Sequence, residues 1–246
     1  MKFKKSLGQN FFVNENLGNQ ILSHISKESC PYVVEIGPGA GFFTMKLKDL
    51  GKKLLAIEKD NLFAKKLVEK GVNVINTDFL NWDFKELEGQ NIIFFGSLPY
   101  NVSKPIISKI ISSKHFKNNC YFIVQREVAD KYTARAPESN LLSLKAQIYS
   151  NCKKLIDIGP SSFKPSPKVN SSFIMFSPVE RDLTINIPAF ESFLEECFNH
   201  PRKTLRNNLR SYKFSKDFDK LLEKRPQHLS LEEYLQLFNH KSSVLI

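Results

Sequence analysis

The stretch "VVEIGPGAGFFTMKL" at residues 33–47 decides the fold class of this 246-residue chain. An apolar run with β-branched residues, "PYVVEI" (31–36), stops at Gly37, Gly39 and Gly41, and a helical pattern, "GFFTMKLKDL" (41–50), begins there. The first reads as a buried strand and the second as a helix. Glycines between them let the backbone approach a ligand closely, and the free N–H groups of the helix start face the same way.

The same alternation continues outward. "KLLAIE" (53–58), "VNVIN" (72–76), "NIIFFG" (91–96) and "CYFIVQ" (120–125) read as further buried strands. Helical patterns lie between them in "DNLFAKKLVEKG" (60–71), closed by Gly71, and in "SKPIISKIISS" (103–113). Such alternation predicts an α/β fold, a Rossmann-like and mostly parallel sheet covered on both faces, with ligands at the carboxyl ends of its strands. From Pro178 onward only helical segments follow: "AFESFLEECFNH", "RKTLRNNLRSY", "SKDFDKLLEKR" and "SLEEYLQLFNH". The boundary falls in "SPVERDLTINIP", giving an expected domain over 1–180 and a small all-helical one over 181–246.

Composition excludes several classes. With 41% hydrophobic and 25% charged residues the chain is globular, not disordered or collagenous. No apolar run approaches the ~20 residues that span a bilayer, and the N-terminal segment turns polar too soon for a secretory signal. A soluble, cytoplasmic protein is expected, monomeric for want of any oligomer signal. The net charge of +11 points to a polyanionic partner, or to a merely lysine-rich surface. Cys30, Cys120, Cys152 and Cys197 lack paired spacing, and the five histidines lack ligand spacing, so no metal is expected.

Each strand end carries a residue suited to part of a nucleoside. Gly37 and Gly39 end the first strand. Glu58 ends the second, 21 residues after Gly37, where a carboxylate can accept both ribose hydroxyls. A dinucleotide loop would want glycine or alanine at 42, which is Phe42, so a nucleoside without pyrophosphate fits better. Asp78 and Phe79 follow the third strand. Asp78 can accept a hydrogen bond from an adenine amine, or can simply cap a turn; Phe79 can pack on the ring. S-adenosylmethionine is the cofactor whose parts these residues match.

The fourth strand runs into "FGSLPYN" (95–101). "SLPY" is similar to the Asn-Leu-Pro-Tyr motif of amino-methyltransferases, and the whole chain resembles the KsgA family of small-subunit ribosomal RNA adenine N6-dimethyltransferases. The resemblance runs through "KSLGQNFF" (5–12), "EIGPGAG", "IEKD", "TDFL", "SLPYNVS", "QREVADKYTA", "PSSFKPSPKVNSSF" (160–173) and "PRKTLRNNL" (201–209). It implies methyl transfer to N6 of two adjacent adenosines in a loop near the 3′ end of small-subunit rRNA, on the small ribosomal subunit.

The chemistry explains the motif. An adenine amine is a weak nucleophile because its lone pair is delocalised into the ring. Acceptors at Ser97 Oγ and the Leu98 carbonyl can hold both N6 hydrogens and aim that lone pair at a sulfonium methyl. Pro99 has no competing N–H. Tyr100 can stack on the base for roughly 1–3 kcal/mol. The resemblance adds Phe163 as a ring for the other face, although it reads equally as a core-packed loop aromatic. It also implies an N-terminal arm (1–13) folded over the cofactor, with Asn10 and the backbone near Phe12 at its methionine end. Ser97 stands where the family usually has asparagine; a hydroxyl still accepts one hydrogen bond, so activity is expected to persist, slower, with the second methylation most at risk.

In "PRKTLRNNLRSYK", Arg202, Arg206 and Arg210 fall on one helical stripe beside Lys203, with Leu205, Leu209 and Tyr212 on the next. With no acids interleaved, this stripe is read as an RNA contact in preference to a solvated face. The alternatives are a large-subunit methylase of the erythromycin-resistance type and a non-enzymatic assembly factor, which Ser97 alone favours.

Overall fold

The computed structural model describes residues 10–181 and 185–243. Its centre is a seven-stranded sheet. The described chain opens with β1 (Phe11–Phe12), α1 (Glu15–Ser26), β2 (Tyr32–Ile36), α2 (Phe42–Asp49), β3 (Lys53–Glu58), α3 (Asn61–Glu69) and β4 (Asn73–Asn76). It continues through β5 (Ile92–Ser97), α4 (Ser103–Ile111), β6 (Cys120–Gln125), α5 (Arg126–Thr133), α6 (Leu141–Tyr149), β7 (Ser150–Ile158), β8 (Phe163–Lys164) and β9 (Ser171–Pro178).

The strand order is β4-β3-β2-β5-β6-β9-β7. Neighbours from β4 to β6 are parallel, with Val34 registered between Leu55 and Phe94. Because helices cover both faces, these strands are apolar without alternation: Ile92, Ile93, Phe94 and Phe95 are all buried. One face packs on Ile21 and Ile25 of α1 and on Phe43 and Leu47 of α2. The chain leaves β2 for β3 and β4 on one side, then returns to its other side at β5, so the order reverses between β2 and β5. A crevice opens there, at the carboxyl ends.

Local chemistry sets the helix ends. Asp60 caps α3 by accepting from the Leu62 N–H at 2.9 Å. Gly71, at φ +73°, ends it: the Gly71 N–H reaches Val68 O at 2.8 Å and the Val72 N–H reaches Leu67 O at 3.0 Å. The two strands of this sheet missing from the sequence reading are β7 and β9. β9 runs antiparallel to β6, with Ile123 opposite Phe173.

The chain divides into two compact units, Met1–Ala129 with Cys152–Pro178, and Asp130–Asn151 with Val179–Ile246. The break at 178 lies near the expected 180, but residues 130–151 belong with the C-terminal unit, which the expected division at 180/181 does not allow for. That unit adds α7 (Ile187–Cys197), α8 (Leu205–Asn208), β10 (Tyr212–Lys213), α9 (Asp219–Leu222), α10 (Leu231–His240) and β11 (Ser242–Ser243). Among the described residues it is helical apart from the short β10–β11 ladder and the first two residues of β7. Leu144 and Ile148 of α6 pack with Phe190, Phe193, Leu194 and Tyr234 in its core.

The helix expected through 202–212 is not continuous. Asn208 bonds back to the preceding turn, accepting from the His200 N–H at 2.9 Å and donating to His200 O and Thr204 O, each at 3.2 Å. Asparagine side chains compete with helical hydrogen bonds in this way. The result is a single short helix at 205–208, with Arg202 in the turn before it and Arg210 beyond it.

Candidate cofactor and target-base site

A cavity of about 280 Å³ lies at the carboxyl ends of β2 to β5. Its walls bring together Asn10, Phe12, Gly37, Gly39, Glu58, Asp78, Phe79, Ser97, Leu98, Pro99, Tyr100 and Phe163. These are the cofactor and target-base candidates of the sequence. The rest of the arm, residues 1–9, lies outside the described residues.

The glycine loop is held by an acid. Gly37 and Gly39 have φ of +65° and +54°, and the Gly37 N–H ties to Ile57 O at 2.9 Å. Glu58 accepts from the Gly39 N–H at 2.9 Å with Oε2 and from the Asp60 N–H at 2.7 Å with Oε1. Burial raises its pKa while those N–H groups oppose the rise. Each carboxylate oxygen retains a lone pair for a hydroxyl.

Asp78 does cap a turn, the single 3₁₀ turn Phe79–Asn81, where its Oδ1 accepts from the Leu80 N–H at 3.0 Å. Oδ2 pairs with Lys59 Nζ at 2.8 Å, and that contact, first among its causes, holds the Asp78 carboxyl below its ordinary pKa. Capping and facing the cavity are compatible, since one residue does both. Phe79 is buried, edge-on to Phe84 at 5.7 Å.

On the target side the Leu98 N–H donates to Ile123 O at 3.0 Å, which fixes the motif to β6. Tyr100 shares a hydrogen bond with Ser171 Oγ at 2.8 Å, setting the ring's direction. Half-buried Ser97 makes no side-chain hydrogen bond with any described residue. Phe163 is packed as a core aromatic, 5% exposed and edge-on to Phe12 at 5.3 Å, and it also lines the cavity. The β1–β8 ladder pairs those two residues, so the arm's described end and the Phe163 segment are stitched together.

Three features escaped the sequence reading. Glu35 is buried in β2, its Oε2 has no hydrogen-bond partner, and burial pushes its pKa up to about 8. Its signal was an acid inside an apolar strand. Lys59 reaches Asp78, as described. Lys109 of α4 donates to three carbonyls of the 79–82 segment, which nothing local in "SKPIISKIISS" announces.

The arginine stripe needs correcting. Arg206 donates to Asp219 Oδ1 at 2.8 Å and to Glu223 Oε1 at 2.6 Å, and Arg210 donates to Asn207 Oδ1 at 2.7 Å. The acids are absent from the arginine segment but arrive from α9 and the residue that caps it, Glu223, four positions after Asp219. Arg202, Lys203, Arg206 and Arg210 are all exposed.

The cavity suits S-adenosylmethionine. Among the described residues that line it, Glu58 and Asp78 stand against one cation, Lys59, while Glu35, its pKa raised by burial, adds a protonated carboxyl, so the cavity favours a positively charged nucleoside over a pyrophosphate. A Cβ on Gly37 would meet nothing within 4 Å, so the loop borders open space there. Among the described residues no group of His, Cys, Asp or Glu could hold a metal ion.

Known proteins share the sequence pattern and the fold of this chain. The family model described as "Ribosomal RNA adenine dimethylase" matches residues 1–242. A ribosomal RNA small subunit methyltransferase A from Mycoplasma mobile is 34% identical over 249 residues, covering 96% of this chain and 97% of its own. Among solved structures, a dimethyladenosine transferase from Plasmodium falciparum superposes with a TM-score of 0.79 at 22% identity, covering 92% of this chain and 95% of that one. The 23S rRNA methyltransferase ErmE gives 0.76 at 22% identity, covering 94% and 98%. At that identity the two structures show the fold.

Proposed function

The chain belongs to the ribosomal RNA adenine dimethylase family, and on that premise we propose that it acts on the small ribosomal subunit, methylating N6 of two adjacent adenosines in a loop near the 3′ end of its rRNA. The family's reaction is adenine dimethylation of rRNA from S-adenosylmethionine. One observation carries the reading: a single cavity gathers an acid-held glycine loop, an acid and a ring for adenine, and the SLPY turn.

Bound S-adenosylmethionine supplies a methyl group on a sulfonium, a strong electrophile that needs no further activation. The protein supplies placement. Glu58 holds the ribose hydroxyls with the lone pairs left over from Gly39 and Asp60. Asp78 accepts from the cofactor's adenine amine, and Phe79 packs against that ring. Asn10 and the backbone at Phe12 close over the methionine end.

Ser97 Oγ and the Leu98 carbonyl accept the two N6 hydrogens of the target base, turning the nitrogen lone pair toward the methyl. Pro99 offers no N–H to compete with that amine. Tyr100, its hydroxyl engaged by Ser171, stacks on one face of the base, and Phe163 on the other. The base has to leave its stack to enter, so unpaired loop adenosines are the substrates. The N6 proton departs to solvent after transfer. Burial raises the Tyr100 pKa, which keeps that phenol neutral rather than basic.

Arg202, Lys203 and Arg210 bind rRNA phosphates, with Arg206 less free because Asp219 and Glu223 hold it. The protein works as a monomer in the cytoplasm; among the described residues no helix is long and apolar enough to cross a membrane.

The test is incubation of purified protein with labelled S-adenosylmethionine and under-methylated small subunits, followed by nucleoside mass spectrometry of the rRNA. N6,N6-dimethyladenosine at two neighbouring positions is expected. Label found only in large-subunit RNA, or cofactor binding without any methylated adenosine, overturns the reading.

A further inference from the structure

Lys109 sits on α4, the helix that begins at Ser103, directly after the SLPYN turn. Its ammonium leaves that helix to donate to Phe79 O at 3.0 Å and Leu80 O at 2.8 Å, and also to Trp82 O. It lies 5.6 Å from the centre of the Phe79 ring and 5.0 Å from that of Phe84. Three carbonyls and two aromatic faces therefore converge on one cation. The segment so held begins at Asp78, whose carboxylate is separately paired with Lys59 from the end of β3.

The rings of Phe79 and Trp82 are buried beside Phe84, but the backbone of the 78–82 segment makes few hydrogen bonds of its own. It contains a single 3₁₀ turn, whose hydrogen bonds run from Asn81 N–H to Asp78 O at 2.9 Å and from Trp82 N–H to Phe79 O at 3.3 Å. A short turn is weakly cooperative by itself. The Leu80 and Trp82 carbonyls, which stand outside that turn's hydrogen bonds, are satisfied by a charged donor, and charge-assisted hydrogen bonds are the stronger kind. Burial lowers the Lys109 pKa, and the nearby Asp78 and Asp83 carboxylates oppose this.

We propose that Lys109 is a positioning residue for methyl transfer: it clips the Asp78–Trp82 wall of the cofactor's adenine pocket to the helix that carries the target-base turn. It touches neither substrate. Its effect is to set the depth of the adenine pocket relative to the SLPY turn, so that cofactor and target base meet at a fixed separation. This rests on the reading of Asp78 and Phe79 as the adenine end of the cofactor site.

The test uses the full chain with Lys109→Met, which keeps the stem's length and removes the donors, and Lys109→Arg, which keeps the charge. Lys114→Met is the control, since Lys114 is an exposed lysine that, among the described residues, pairs with Glu88 at the surface. S-adenosylhomocysteine affinity is measured by calorimetric titration, with the KM for S-adenosylmethionine, the KM for small subunits and kcat measured alongside. Lys109→Met is expected to weaken cofactor binding roughly tenfold, the worth of about one charge-assisted hydrogen bond. The KM for subunits should not change, Lys109→Arg should restore most of the affinity, and Lys114→Met should match the parent.

A Lys109→Met protein that melts lower but keeps the parent's cofactor affinity and KM shows a merely structural lysine and overturns the proposal. If Lys109→Met does not fold, Lys109→Gln decides by the same readouts. Asp78→Ala separates the two levels of inference. If it leaves cofactor affinity unchanged, the adenine-site reading fails; if it abolishes affinity while Lys109→Met does nothing, only the clip fails.

Discussion

Gly96, one residue before the target-base turn, is where the sheet leaves no room for a side chain. A Cβ there would lie 2.7 Å from Ile36 O and 2.9 Å from Leu98 Cδ2. Gly96→Ala therefore sets a methyl group against the backbone of β2, at the residue just before the glycine loop. Restoring ordinary contact of about 3.4 Å means parting β2 and β5 by about 0.7 Å, since packed interiors do not compress. Over-packing of this kind costs about 1–3 kcal/mol, and the entropy regained by removing a glycine offsets roughly 0.5–1 kcal/mol. A net loss of about 1–2 kcal/mol lowers Tm by roughly 2–8 °C for a chain of this size. A displacement of half an ångström or more at Ser97 should lower kcat about tenfold, given that 1 Å can cost about a hundredfold.

Gly51→Ala provides the comparison. Gly51 has φ +70° with nothing within 4 Å of its Cβ position, and it precedes β3 at the opposite end of the sheet. Forcing alanine into that left-handed conformation costs about 1–2 kcal/mol, a similar loss of stability, but it should leave kcat unchanged. Urea unfolding and steady-state methylation of small subunits, corrected for folded fraction, measure both variants. A Gly96→Ala enzyme as active as the parent, or a Gly51→Ala enzyme equally impaired, refutes the claim that the β2–β5 contact at Gly96 sets the position of the turn.

Other substitutions probe the remaining walls. The Glu35 pKa of about 8 exceeds that of an unfolded carboxyl, so the folded state binds the extra proton: its contribution to stability is fully present below about pH 4.5 and is lost as pH rises toward 8. Without cofactor, Glu35→Gln should flatten the decline in urea midpoint over that window, and an identical pH profile counts against it. Glu58→Gln replaces one acceptor oxygen with a donor, losing a bond to Gly39 or Asp60, and should weaken S-adenosylhomocysteine binding about tenfold or more by calorimetry. Glutamate at Arg202, Lys203 and Arg210 together should weaken RNA binding and flatten its salt dependence with cofactor affinity intact; unchanged RNA affinity removes that surface. Ser97→Asn should raise the ratio of dimethylated to monomethylated adenosine in a timed assay, and an unchanged ratio means that Ser97 does not limit the second transfer.

The parallel half of the sheet was legible because its strands announce themselves as apolar runs, each ending in a residue of distinct chemistry. "KLLAIE" and "CYFIVQ" are strands with the bounds that the sequence indicates. β7 was not legible: in "SNCKKLIDI" exposed lysines and an aspartate alternate with buried positions, without a β-branched run. β9 begins with two serines whose burial follows from pairing to β6 rather than from their own character. For the site, the residues came from the sequence but their couplings did not. That Glu58 holds Gly39, that Lys59 holds Asp78 and that Lys109 holds the 79–82 carbonyls are contacts across 19, 19 and 27 to 30 positions of chain. The arginine stripe failed for the same reason, since helical spacing is a local property whereas Asp219 and Glu223 come from elsewhere.

Residues 130–151 leave the first unit for the second, and the chain then returns for β9. Synthesis runs from the amino terminus, so α6 emerges with Leu144 and Ile148 before the residues that bury them, Phe190, Phe193 and Tyr234, have been made. The sheet cannot gain β9 until Pro178 has followed. A nascent chain must therefore carry an uncovered apolar helix through the making of some forty residues. A fragment ending at 180 would carry that helix permanently uncovered, so no single cut separates the two units, and shuffling them between relatives requires exchanging two segments at once.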